Sequence, residues 1–346
     1  MAKRQLSKNQ QRRVKSRHSN NLAMANDSDN TSTEDGDALN GVVVTNFGRK
    51  ALVEYTSGEI NDDNTPEREH FLCHQRANLE SIVTGDRVAW RKTDTVGVIE
   101  SRHPRDTELH RPDSYGNLKP VAANVTQMLI TVAVEPEPHI NLIDRYIVAA
   151  VNHGLTPVII INKADLIKAE QRHIFDKIEE LYTPLGYPIL YVCAHNQQGF
   201  DELKKQLIDN VSIFAGQSGV GKSSLIKSLL PEQDIKVGEL SELVAKGKHT
   251  TTHSCLYHFP WGGQCIDSPG IREFGLWHFE PSEILKGFID IEEYSGGCRF
   301  RDCRHENTPG CAIESAVESR DIHPDRYHSF KRILSGLDDV AIKTRK

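Results

Sequence analysis

The run Gly216-Gln217-Ser218-Gly219-Val220-Gly221-Lys222-Ser223 carries the spacing G-x-x-x-x-G-K-S, which suits a chain that must cradle a polyphosphate. Its glycines let consecutive backbone N–H groups turn inward around an anion, and a helix beginning there adds unpaired amides and the positive end of its dipole. In such a loop Lys222 reaches the β- and γ-phosphates and Ser223 ligates Mg2+, with Ser224 beside it among the nucleotide-contacting residues. The apolar run Val211 to Ala215 in front and the helix-compatible Ser224 to Leu230 behind supply the strand and helix that the loop joins.

A second motif selects the base. Asn162-Lys163-Ala164-Asp165 follows the buried-strand pattern Pro157 to Ile161, at the carboxyl end of a strand, where open α/β sheets bind ligands. Asp165 can accept hydrogen bonds from N1–H and the 2-amino group of guanine; adenine lacks that arrangement and would leave the carboxylate unpaired. Cys193-Ala194-His195, after the strand pattern Pro188 to Val192, resembles the S-A-x loop at the base edge, with Cys for Ser. The exchange is mild, because such a loop works mainly through a backbone N–H. Asp267-Ser268-Pro269-Gly270 completes the set: Asp267 can hold Mg2+ through water, and the Gly270 N–H can contact a γ-phosphate. Together these residues point to GTP with Mg2+.

Hydrolysis needs a group that orients water. In many GTPases a glutamine directly after D-x-x-G does so, but that position is Ile271, which neither donates nor accepts. With Lys222 on the phosphates, His249 is the catalytic candidate, since a neutral imidazole can do both. His253 competes with it in the same run, and a group supplied by a partner is the remaining alternative. Thr250 and Thr251, next to His249, are candidate Mg2+ ligands in a segment expected to sense the γ-phosphate, and Thr252 beside them leaves the choice open.

Cys298, Cys303, His305 and Cys311 follow the spacing C-x4-C-x-H-x5-C. Three thiolates and one imidazole make a closed tetrahedral set for structural zinc, with no open position for a reacting water. A metal-delivery role is disfavoured for the same reason. The other four of the seven cysteines, Cys73, Cys193, Cys255 and Cys265, read as ordinary buried thiols.

These groups need scaffolds. From Gly41 to about Arg105, five short β-rich runs broken by Gly, Asp and Asn suit a small barrel of oligonucleotide-binding (OB) type. Arg102 to Lys119 reads as a linker. Apolar strands then alternate with helical patterns, the mark of a parallel sheet with covering helices. After Phe279 the pattern turns helical and polar. The formal net charge of −6 hides a local asymmetry: residues 1–18 hold Lys3, Arg4, Lys8, Arg12, Arg13, Lys15 and Arg17 and no acidic residue. That segment is either an RNA-contacting arm or a solvated tail. Arg49, Lys50, Arg76, Arg87, Arg91 and Lys92 on the barrel, and Lys286, Arg299, Arg301 and Arg304 around the cysteines, present the same choice. No apolar run approaches the roughly 20 residues of a membrane span, and the amino terminus lacks a signal-peptide core, so a cytoplasmic protein is expected.

The motif order, with N-K-A-D first and the phosphate loop and D-S-P-G after it, is that of a circularly permuted GTPase. With the flanking barrel and the cysteine set it resembles the bacterial RsgA (YjeQ) family of small-ribosomal-subunit-dependent GTPases, from about Leu39 onward. The expected fold is multidomain α/β: a disordered extension over 1–38, an OB-type β-barrel over 39–105, a circularly permuted P-loop GTPase domain over 120–275 and a mostly helical zinc-binding domain over 276–346. The resemblance implies a monomer that binds the 30S subunit and 16S rRNA late in assembly, hydrolyses GTP to GDP there and leaves, with one structural zinc per chain and Mg2+ alongside GTP. A GTP-gated rRNA-binding scaffold with incidental hydrolysis is the alternative.

Overall fold

Trp90 sets the dimensions of the first β-structure. In the computed structural model, which describes residues 38–60, 66–77, 79–93, 96–112, 117–230, 254–267, 276, 278–305 and 308–344, its indole is fully buried among Val43, Val53, Cys73, Ile82, Val88 and Ile99. The surrounding strands are β1 (Ala38–Asn46), β2 (Lys50–Ile60), β3 (Pro66–Gln75), β4 (Arg87–Lys92) and β5 (Gly97–Arg102). Antiparallel pairing runs β1–β2–β3, β3 pairs parallel with β5, and β5 and β1 both pair antiparallel with β4, which closes the barrel. So large a side chain fits because two strand positions lack a Cβ: one at Gly41 would stand 2.9 Å from the indole nitrogen, and one at Gly97 2.9 Å from the ring. Burial pushes the Cys73 thiol up to about 12, so it packs as an inert apolar group.

The residues after β5 are structured rather than a linker. Strands β6 (Glu108–Pro112) and β7 (Leu118–Ala123) form an antiparallel hairpin. Arg105, nearly buried, donates to both oxygens of the wholly buried Asp86 (2.7 and 2.8 Å) and to the Ser81 carbonyl (2.7 Å), and it also bonds Glu108. Asp86 accepts the Val83 N–H as well (2.7 Å). A desolvated carboxylate held this way fixes the chain that carries its partner.

The chain divides into two compact units; one holds residues up to 125 with 254–258 and 266–267, the other 126–230, 259–265 and the described residues from 276 on. The second contains β8 (Gln127–Ala133), α1 (Ile140–Asn152), β9 (Thr156–Asn162), α2 (Arg172–Tyr182), β10 (Ile189–Tyr191), α3 (Phe200–Leu207), β11 (Val211–Ala215) and α4 (Lys222–Leu229). Its parallel strands lie in the order β10-β9-β8-β11. β8 is buried throughout, as a strand covered on both faces must be.

Strand β12 (Cys255–His258) belongs to the barrel unit: it pairs with β1 at Thr45↔Cys255, and Thr84 Oγ1 donates to the Ser254 carbonyl (3.0 Å). His258 Nε2 stands 2.9 Å and His70 Nε2 3.5 Å from the Glu54 carboxylate. Burial pushes the Glu54 carboxyl up, but the two histidines outweigh it and hold the group at about 2. Strand β13 (Gln264–Asp267) follows.

The carboxyl-terminal helices α5 (Pro281–Lys286), α6 (Ile289–Ser295), α7 (Ala312–Glu318) and α8 (Pro324–Thr344) share an apolar core with Val148 and Ala149 of α1. A Cβ at Gly287 would stand 2.6 Å from the Val148 Cα, so only glycine permits this approach. Arg326 of α8 reaches Asp144 of α1 and Asp290 of α6 (2.7 Å), lies 4.4 Å over the Phe288 ring, and is 1% exposed.

Candidate functional site

The phosphate-loop sequence connects β11 to α4 with the conformations its glycines foretell. Gly216, Gly219 and Gly221 all have positive φ (140°, 86° and 90°). A Cβ at Gly216 would meet the Thr131 carbonyl oxygen of β8 at 2.2 Å, and one at Gly221 the Asn162 amide nitrogen at 2.5 Å. Lys222 Nζ donates to the Gly216 and Gln217 carbonyls (2.6 and 2.7 Å), so its ammonium folds over its own loop. Ser223 and Ser224 are exposed on the first turn of α4, while Leu225, Ile226 and Leu229 anchor its buried face; Gln217 and Ser218 edge the loop and Val220 is buried.

The Asn162-Lys163-Ala164-Asp165 turn leaves the end of β9 and is tied to that loop. Asn162 Nδ2 donates to the Val220 carbonyl (2.9 Å), and Lys163 Nζ donates to the carbonyls of Gly219 (2.8 Å) and Glu135 (2.9 Å). Lys163 adopts φ 58°, and the Ala164 N–H donates to the Val192 carbonyl (3.1 Å), which fixes the turn from below. Asp165 is left exposed. The turn can therefore hold a planar base while the glycine loop holds an anion. Cys193-Ala194-His195 follows β10: Cys193 is buried with its N–H donating to Gln198 (3.0 Å), Ala194 is half-buried, and His195 is exposed. Asp267 closes β13 at intermediate exposure. His249, Thr250, Thr251, Thr252, His253, Gly270 and Ile271 lie outside the described residues, as do residues 1–37. One contributor has no signature in the sequence: Glu135 accepts from Lys163 through its carbonyl oxygen, which any residue supplies.

The ligand atoms of Cys298, Cys303, His305 and Cys311 all lie within 4.8 Å of one another. His305 Nδ1 stands 3.5 Å from the Cys298 sulfur and 3.6 Å from the Cys311 sulfur. Ordinary zinc–sulfur and zinc–nitrogen bond lengths at a tetrahedral angle put such atoms about 3.6 Å apart, so the donor set fits one metal ion. The Tyr327 hydroxyl donates to the His305 carbonyl (2.8 Å), and the Arg299 N–H to Gly310 (3.0 Å), bracing the cluster from α8 and from its own loops.

The family model for the RsgA GTPase matches residues 102–277. The small ribosomal subunit biogenesis GTPase RsgA of Saccharophagus degradans is 49% identical, over 99% of this chain and 100% of that protein. Among solved structures, YjeQ from Thermotoga maritima is 33% identical with a TM-score of 0.68, covering 86% of this chain and 98% of its own. YloQ, described as a circularly permuted GTPase, is 26% identical with a TM-score of 0.70, covering 89% and 98%. Full-length identity at this level, on a sheet whose Asn162–Asp165 turn precedes its glycine loop in the chain, makes the chain a member of the RsgA GTPase family.

Proposed function

We propose that the protein is a GTPase of small-ribosomal-subunit assembly, which binds GTP with Mg2+, docks on 16S rRNA of the 30S subunit late in maturation, hydrolyses GTP to GDP and phosphate there, and departs. The observation that carries the nucleotide site is the pair of bonds from Asn162 and Lys163 to Val220 and Gly219, which join a base-reading turn to a phosphate loop. In this reading Asp165 pairs with guanine and the Cys193-Ala194-His195 loop lines its edge. The residues from Gly216 to Ser224 enclose the phosphates, and Gly270 meets the γ-phosphate. Ser223, Asp267 and Thr250 or Thr251 hold Mg2+. The names of the full-length relatives support the assignment to the small subunit. The extension over 1–38, the barrel over 39–105 and the carboxyl-terminal domain over 276–346 flank the catalytic domain over 120–275. The protein acts as a cytoplasmic monomer; among the described residues, no helix is long and apolar enough to cross a membrane.

Single-turnover hydrolysis is expected to be slow for the isolated protein and strongly accelerated by 30S subunits. Equal rates with and without subunits would reduce the protein to a GTP-gated scaffold. His249 orients the water while Lys222 neutralises phosphate charge, so His249→Ala is expected to lower the stimulated rate by roughly 10²-fold with GTP binding retained. Parent-like stimulated rates would transfer that duty to a ribosomal group.

The cysteine cluster holds a structural zinc ion that contributes folding energy to a short polar segment. Purified protein is expected to carry about one zinc per chain; Cys303→Ser should lose it and raise hydrogen exchange across the carboxyl-terminal helices. A metal-free chain with full protection there would remove the site.

A further inference from the structure

Phe300 is the one aromatic among the large apolar side chains that the described residues leave in solvent, at 46% exposure. It stands on the loop between two cluster ligands, Cys298 and Cys303, and its backbone is fixed on both sides. The preceding residue, Arg299, donates its N–H to Gly310 (3.0 Å), and the Cys303 N–H donates to the Phe300 carbonyl (3.3 Å). The ring is thus held outward by its backbone. The Arg299 guanidinium lies 5.6 Å over it; Arg301 is exposed on the same loop and Arg304 directly after Cys303. Beside the ring is an open recess of about 400 Å³ lined by Phe300, Asp302, Cys303, Arg304 and Thr308.

An apolar protein partner would have to desolvate several guanidinium groups to cover one ring. A nucleic-acid duplex has its base faces already stacked and offers none to the ring. An unpaired nucleotide satisfies both features, since its base supplies a π-face and the adjoining phosphates supply the negative charge. We propose that Phe300 is a stacking platform for an unpaired RNA base, with Arg299, Arg301 and Arg304 on the neighbouring phosphates. This rests on the small-subunit reading above and names the kind of RNA element that the metal-bearing region takes.

The test uses full-length protein and a short single-stranded RNA of mixed sequence, with a blunt RNA duplex as control. F300W, read against the parent with its three tryptophans, is expected to lose emission on adding the single strand but not the duplex. F300A and F300L should weaken single-strand binding about tenfold or more at an unchanged melting temperature and unchanged duplex binding, and F300Y should bind as the parent does. Equal single-strand affinity for parent, F300A and F300L, or unaltered F300W emission at saturation, overturns the proposal. If the RNA measurements come out as expected while 30S subunits fail to stimulate the parent, the functional reading fails and the platform stands.

Discussion

Arg326→Ala is expected to lower the stability of the protein by about 3–5 kcal/mol, the range for breaking a buried ion pair from one side. Arg326 is 1% exposed; of its two carboxylate partners Asp144 is completely buried and Asp290 is half-buried at the edge of the site. Tyr182 also donates to Asp144 (2.7 Å), and the Arg326 guanidinium lies 4.4 Å and 5.4 Å over the Phe288 and Tyr182 rings. Complete burial already pushes the Asp144 carboxyl up against the pull of Arg326. Without the guanidinium, the fully buried Asp144 carboxyl would lose its counter-charge with the Asp290 carboxylate nearby. Urea denaturation followed by circular dichroism measures the loss. Removing the charges together, as in Arg326→Met with Asp144→Leu and Asp290→Leu, should recover most of it, because the desolvation penalty goes with the pair. An alanine variant within about 1 kcal/mol of the parent, the usual size of an exposed pair, would mean that the apolar core alone docks α8.

Asp165→Asn is expected to weaken GTP by a few kcal/mol, roughly 10³-fold in affinity, because an amide donor then faces the guanine 2-amino donor and leaves both unpaired. The turn that carries Asp165 is held by Lys163, Asn162 and the Ala164 N–H, so the substitution should change one contact without moving the loop. Xanthine has a carbonyl where guanine has its 2-amino group, and the variant should accordingly gain affinity for the xanthosine triphosphate. Calorimetric titration with both nucleotides reads the exchange. Unchanged GTP affinity would remove Asp165 from the base site.

The glycine loop and the Asn162–Asp165 turn were legible because their signals are local. A glycine loop and a four-residue turn each hold their meaning within a few positions, and their flanking strands follow from apolar runs such as Val158 to Ile161. Pairings between distant segments were not legible. The parallel contact of β3 with β5 joins two strands between which β4 intervenes in the chain, and no local pattern marks that skip. The residues around Arg105 resemble a linker, since prolines and charges dominate them, and nothing near Arg105 announces that Asp86 will be buried against it. Nor does anything near Arg326 announce its burial, since its partner Asp144 lies 182 positions away.

Strand β12 also bears on how the molecule can be dissected. The barrel is discontinuous in the chain, for Cys255–His258 pairs with β1 although the other barrel strands end at Arg102. An excised fragment ending near residue 125 would bare the β1 edge at Thr45, an invitation to intermolecular strand pairing. It would also strip Glu54 of the His258 imidazole, whose Nε2 stands 2.9 Å from its carboxylate. Fragments meant to isolate the barrel therefore need the later strand supplied in trans or spliced back by a short connection, and aggregation of the simple truncation would say nothing about the barrel's own capacity to fold.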